Sequence, residues 1–152
     1  MKSPLKNIGV FITALSIGLV SFGQKTNETS AAVERNNSMK AMQSRNMDGA
    51  IKNLKSAKGY IDKAAVHEDT KDNQKTLWLI GEIYGSLYSF SMLPGHEDLK
   101  ELVGEDALDI AHAALKRGYP LGKKYKSDSK AVMAMINARV KDGYKLEDFE
   151  TV

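Results

Sequence analysis

The segment that most constrains the fold of this chain runs from Lys75 to Ser91, reads KTLWLIGEIYGSLYSFS and contains the only tryptophan. On a helical wheel its large apolar residues point in nearly every direction and leave only a narrow polar strip. That strip consists of Glu82, Gly85, Ser86 and Ser89. A helix that is apolar on almost all sides must be surrounded by other helices. The rest of the chain is therefore expected to wrap around this one.

The sequences before and after this segment have the apolar periodicity of helices, and these helices are expected to cover it. Before it, the pattern predicts a first helix over 31–44 with a stripe of Val33, Met39 and Met42. A second helix follows, and its buried face is Ala50, Leu54, Ala57, Ile61, Ala64 and Ala65. After it come a short insertion helix within 96–103 held by Leu99, Leu102 and Val103, a helix ending at Gly118, and a last helix near 129–141. No strand alternation of useful length occurs, so the chain is predicted to be all-α, with about five main helices plus a short insertion helix.

Two signatures recur on these helices. The central helix reads Leu77-x2-Ile80-Gly81-x2-Tyr84. The pattern Ala-x3-large-x2-Ala occurs as Ala50, Leu54 and Ala57, and again as Ala107, Ala111 and Ala114 with a small alanine at the large position. They resemble the two helix signatures of tetratricopeptide repeats. The resemblance implies antiparallel helix pairs stacked as a short solenoid, with Gly81 admitting the alanines of a partner helix and Tyr84 filling the remaining gap. An unrelated four- or five-helix bundle is the alternative.

The N-terminal residues have the three parts of a secretory signal peptide. Lys2 and Lys6 precede an apolar run over 8–20, and the small residues Ser21 and Gly23 place a cleavage site before Gln24. We therefore expect a signal peptide over 1–23, a flexible tether over 24–29, a helical domain over 30–152, and export to the periplasm or beyond. An uncleaved N-terminal anchor is the alternative.

Charge and residue types narrow the classes of function. Removing 1–23 lowers the net charge from +3 to +1, which does not fit the basic surface of a nucleic-acid-binding protein. There is no cysteine for a disulfide or a thiol nucleophile. The fragments His67-Glu68-Asp69 and His96-Glu97-Asp98 lie in predicted loops, where solvated charge is the expected role. No catalytic, cofactor-binding or metal-binding set is predicted, and the chain is not expected to be an enzyme.

The family resemblance also suggests where a ligand would bind. In tetratricopeptide proteins the first helices of successive pairs line a concave surface that binds peptides. By resemblance, Lys75, Trp78, Glu82 and Ser86 would face that groove, with Trp78 as an anchor of the kind that dominates interfaces. The competing interpretation is that Trp78 packs under the long connections on either side of its helix.

These observations predict a non-enzymatic protein- or peptide-binding scaffold of the bacterial cell envelope, with no membrane span once the signal peptide is removed. The alternative is a structural or self-associating helical accessory protein without a peptide groove. A repeat array needs capping or a partner at its ends. Either the tail Tyr144–Val152 caps the array, or a second copy covers the open end as a homodimer.

Overall fold

The computed structural model describes residues 26–139, with the backbone alone at 137–139. Within that range the chain is all-α and has no strand. Its helices are α1 (26–43), α2 (Met47–Ala65), α3 (Gln74–Ser91), α4 (Asp98–Val103), α5 (Ala107–Gly118) and α6 (Lys126–Arg139), and a 3-10 turn at Tyr119–Leu121 follows α5. The predicted architecture of five main helices and one short insertion helix, α4, is confirmed.

The N-terminal part of the described chain differs from the expected tether over 24–29. Residues 26–29 belong to α1, and Glu28 is held in place because the Thr76 hydroxyl donates a hydrogen bond of 2.7 Å to its carboxylate. The predicted leader over 1–23 and the predicted cap Tyr144–Val152 lie outside the described residues.

Helix α3 occupies the centre of the domain. Every residue from Thr76 to Gly81 is buried, and the helix packs against α2, α4, α5 and α6 while α1 is hydrogen-bonded to it. The all-round covering predicted from its apolar sequence is confirmed. No helix within 26–139, α3 included, combines the length and the apolar character needed to cross a membrane.

Two apolar stripes differ from their predicted positions. Val33, Met39 and Met42 of α1 are between 41% and 50% exposed, and the buried residues of this helix are the small Ala31 and Ser38. Helix α1 is held against α3 by polar contacts and not by a face of large apolar side chains. In the insertion, Leu99 and Val103 are buried as predicted, whereas Leu102 is exposed.

Helices α3 and α5 form an antiparallel pair in close contact. Leu77 lies beside Gly118 near one end of the pair, and Gly81 lies beside Leu115 one turn further along. A Cβ atom at Gly81 would lie 2.6 and 2.9 Å from the two methyl carbons of Leu115 and closer still to its Cγ. Gly81 therefore makes room for Leu115 of α5. At this position the sequence predicts alanines of the partner helix.

The other residues predicted to pack between the helices are mostly buried. One of them, Tyr84, makes a contact that the sequence did not predict. Tyr84 is half-buried and reaches α2, where its hydroxyl donates to Asp62 Oδ1 at 2.8 Å and Lys58 Nζ lies 4.9 Å from its ring centre. It thus joins α2 to α3. The buried members of the set are Ala50, Leu54, Ala57, Leu77, Ile80, Gly81, Ala107, Ala111 and Ala114.

Helices α1, α3 and α6 run parallel to one another. Between α1 and α3, contacts join Glu28 to Thr76 and Arg35 to Glu82, at separations of 48 and 47 positions in the chain. Between α3 and α6, Trp78 stacks on Tyr125 just before α6, and Gly85 lies beside Ile136 near its end. Helix α3 therefore adjoins both α1 and α6, and all three run in the same direction.

A tight turn joins α1 to α2. The Asn46 N–H donates to the Ala41 carbonyl, the Arg45 N–H donates to the Met42 carbonyl, and Arg45 has a positive φ of 58°. These bonds are those of a Schellman C-cap, whose left-handed position favours glycine. The Asn46 side chain then accepts from the Gly49 N–H at 2.9 Å and caps α2.

We expect Arg45→Gly to stabilise the domain by about 1 kcal/mol, because glycine has no Cβ to oppose a left-handed backbone. Urea denaturation followed by circular dichroism measures the change. Arg45→Ala is the matched control, since it removes the same long side chain and keeps the Cβ. If alanine stabilised the domain as much as glycine does, backbone strain would not be the cause.

Candidate functional site

Trp78 lies on the face of α3 between α1 and α6. Its indole ring stacks on Tyr125, with ring centres 4.8 Å apart and planes 17° apart, and the Arg35 guanidinium lies 5.1 Å from the ring centre. The residue is only 8% exposed. Tyr125 belongs to the connection between α5 and α6. The competing interpretation named the connections on either side of α3, so the stacking partner comes from a different connection.

An ion pair between α1 and α3 adjoins this tryptophan. Arg35 donates from Nε at 2.6 Å and also from Nη2, and both bonds go to the same oxygen of Glu82, Oε1. The Glu82 side chain is 12% exposed. Its second oxygen, Oε2, is buried and has no hydrogen-bond partner within the described chain, and the same is true of Trp78 Nε1. One acceptor and one donor in adjacent turns of α3 are therefore unsatisfied.

Burial raises the pKa of Glu82, and the negative charge of Asp128 raises it further, while the hydrogen bonds and charge of Arg35 act in the opposite direction. Asp128 stands in the first turn of α6 and is exposed. It has no ion-pair partner among residues 26–139. The two carboxylates thus repel each other across the gap between α3 and α6, and only one of them is neutralised.

A cavity of about 220 Å³ opens between these three helices. Its wall combines one guanidinium, two carboxylates, a hydroxyl and apolar side chains from α1, α3 and α6. The lining residues are Arg35, Trp78, Glu82, Ser86, Asp128, Ala131, Val132 and Met135. With one positive and two negative groups, the cavity carries a formal charge of −1.

Three of the four residues predicted to face a groove line this cavity. They are Trp78, Glu82 and Ser86, brought together by their spacing of four along α3. Lys75, the fourth, lies outside it and pairs with Glu28 Oε1 at 3.1 Å. Sequence reasoning missed Arg35, Asp128 and Met135, which come from the two flanking helices. On α6, Asp128, Val132 and Met135 are spaced four and then three residues apart, so they lie on one face of the helix. This spacing is the sequence signal that could have placed that face in the cavity wall.

A larger cavity of about 480 Å³ lies beside α2 and the loop before α4. Its charged groups already neutralise one another, since Lys55 Nζ lies 2.8 Å from Asp98 and lowers the pKa of that carboxyl. No buried polar atom in its wall lacks a partner. In the part of the chain described here, no three histidine or acidic side chains converge on a point where a metal ion would fit.

The raised pKa of Glu82 predicts a pH effect on stability. A carboxyl that holds its proton more tightly when folded makes the domain more stable as the pH falls through the folded pKa, and that stability is lost as the pH rises. We therefore expect the free energy of unfolding of the protein, minus that of Glu82→Gln, to increase as the pH falls from neutral towards about 4.3, the ordinary pKa of glutamate. Urea denaturation of both proteins at several pH values measures this difference. A difference that stays constant or decreases would contradict the assignment.

Comparison with known proteins identifies no relative of this chain: no family model, no curated protein and no solved structure matches it.

Proposed function

We propose that this chain is a non-enzymatic module that binds a protein or peptide at the surface formed by α1, α3 and α6. The observation that carries the proposal is the cavity between these parallel helices, lined by Trp78, Glu82 and Ser86. A concave site that combines an aromatic ring with a few polar groups is a usual ligand-binding arrangement. First helices in tetratricopeptide proteins, which the sequence resembles, use the same surface for peptides.

We also propose that the module acts in the bacterial cell envelope, because 1–23 has the composition of a secretory signal peptide. The tetratricopeptide assignment itself belongs to this proposal. What supports it is the resemblance of Leu77-x2-Ile80-Gly81-x2-Tyr84 to the first-helix signature and the parallel arrangement of α1, α3 and α6.

Site-specific photo-crosslinking in the cells that produce the protein tests the binding function. A benzoylphenylalanine at Ala131, an exposed alanine in the cavity wall, is expected to give an adduct of discrete mass with a partner protein. Ala113 on α5 is the matched control, since it is also an exposed helical alanine but lies away from the cavity. Ser86→Phe, which fills the cavity, is expected to abolish the adduct at Ala131.

The proposal fails if Ala131 gives no adduct, or if both positions give the same adducts. An adduct of twice the chain mass would instead favour the second candidate function, a self-associating structural protein. That candidate is favoured by the exposed Val33, Met39 and Met42 on α1, which offer apolar surface to a second copy. Light scattering of the exported chain distinguishes a monomer from such a dimer.

A further inference from the structure

We propose that the cavity between α1, α3 and α6 receives a basic side chain, arginine or lysine, of the partner. This inference rests on the proposed function and specifies the chemistry of the ligand. It starts from the charge balance of the cavity wall, where Glu82 and Asp128 face a single cation, Arg35.

The unpaired carboxylate oxygen is the first argument for a cationic ligand. Arg35 donates two hydrogen bonds to Glu82 Oε1 and a third, from Nη1, to Asn36 Oδ1 at 3.0 Å. None of these three bonds goes to Glu82 Oε2, which stays buried without a donor. An unsatisfied buried acceptor costs free energy, and an N–H donor that reaches it as the Glu82 side chain turns towards the cavity recovers that cost, most of all when the donor is charged.

Asp128 supplies the second argument. Its carboxylate lines the same cavity and has no ion-pair partner among residues 26–139. A cation placed between Asp128 and Glu82 relieves the repulsion between them, whereas an acidic ligand would add to it. The cavity therefore selects by charge, favouring lysine and arginine over aspartate and glutamate.

Size and wall chemistry match one long side chain. At about 220 Å³ the cavity is smaller than the roughly 300–1,000 Å³ of typical small-molecule sites. Val132 and Met135 offer apolar surface to the methylene stem of a basic side chain.

The test is a titration of the full chain without its leader, followed by NMR. Trp78 is the only tryptophan, so a single indole N–H signal reports on the cavity. Three blocked tripeptides serve as probes, with a central arginine, its uncharged isostere citrulline, or glutamate. We expect the arginine peptide to shift the indole signal in a saturable way, with a Kd at least about tenfold lower than that of the citrulline peptide.

Two variants assign the effect to the cavity. Asp128→Asn removes one carboxylate from its wall and is expected to raise the Kd of the arginine peptide about tenfold. Asp109→Asn, on the exposed side of α5, has the same change of charge and is expected to leave the Kd unchanged. Circular dichroism verifies that both variants are folded.

Equal binding of arginine and citrulline peptides, absence of binding by any probe, or equal effects of the two variants would overturn the inference. Its failure is distinguishable from failure of the proposed function, because the crosslink at Ala131 requires no basic residue in the partner. A crosslink without arginine selectivity leaves a binding module with another ligand chemistry. Arginine selectivity without a crosslink leaves a cation-selective cavity that is not a protein-binding site.

Discussion

Gly81→Ala is expected to lower the free energy of unfolding by about 2 kcal/mol, although alanine is the better helix former by about 1 kcal/mol. The added methyl group would overlap Leu115, whose Cγ and both methyl carbons lie within 2.9 Å of the new Cβ. Leu115 is fully buried, and its branch point cannot move without a shift of α5. Urea denaturation followed by circular dichroism measures the loss.

Gly59→Ala is the matched control for this prediction. Gly59 also lies inside a helix, α2, but no atom lies within 4 Å of an added Cβ. That substitution is expected to stabilise the domain by about 0.5 to 1 kcal/mol. A second control places Gly81→Ala in a Leu115→Ala background, where the obstacle has been removed and the penalty should disappear. If Gly81→Ala lowered the free energy of unfolding as much in the Leu115→Ala background, the close approach of α3 and α5 would not be the cause of the loss.

Trp78→Ala is expected to destabilise the domain by about 4 kcal/mol, because a large ring in the interior is replaced by a methyl group. The stacking on Tyr125 and the contact with Arg35 are lost at the same time. A domain of this size is stabilised by only about 5–15 kcal/mol, so the variant is expected to be partly unfolded at 37 °C. Thermal unfolding monitored by circular dichroism measures the effect.

Trp78→Phe serves as the control, since it keeps an aromatic ring against Tyr125. We expect it to cost markedly less than the alanine variant. Should Trp78→Ala be as stable as the parent protein, the ring would contribute to binding alone and the buried stack would be excluded. The expected destabilisation also means that loss of binding in Trp78→Ala would not identify a ligand contact, which is why the binding tests use Ser86, Ala131 and Asp128.

The sequence was sufficient to predict the helices and the central position of α3. A helix that is apolar on nearly every side has to be surrounded by other helices. The alanine faces of α2 and α5 are buried, and their burial could be predicted without knowing which helix covers them. The rotation of a helix about its own axis is harder to predict. Ala111, Ala114 and Leu115 share one face of α5, and a turn of a few tens of degrees decides which of them meets Gly81. Leu115 does so in the structure.

The candidate site was predictable only in part, for a related reason. Trp78, Glu82 and Ser86 follow from the four-residue spacing on one helix. Arg35 reaches them from α1, and Tyr125 reaches them from the turn before α6. The positions of both depend on connections whose length no standard repeat determines. Helix α1 was the least predictable, because it docks through Arg35 and Glu28 and exposes the apolar residues expected to anchor it.

The central position of α3 has a consequence for hydrogen exchange. Leu79, Ile83 and Leu87 are fully buried, and separating this helix from its neighbours would disrupt contacts with every other helix described. Its amide protons should therefore exchange only when the whole domain unfolds. The insertion helix α4, held by Leu99, Val103 and the exposed pair of Lys55 with Asp98, can open by itself. The slowest-exchanging amides of α3 thus report global stability, and those of α4 report a local opening beside the larger cavity.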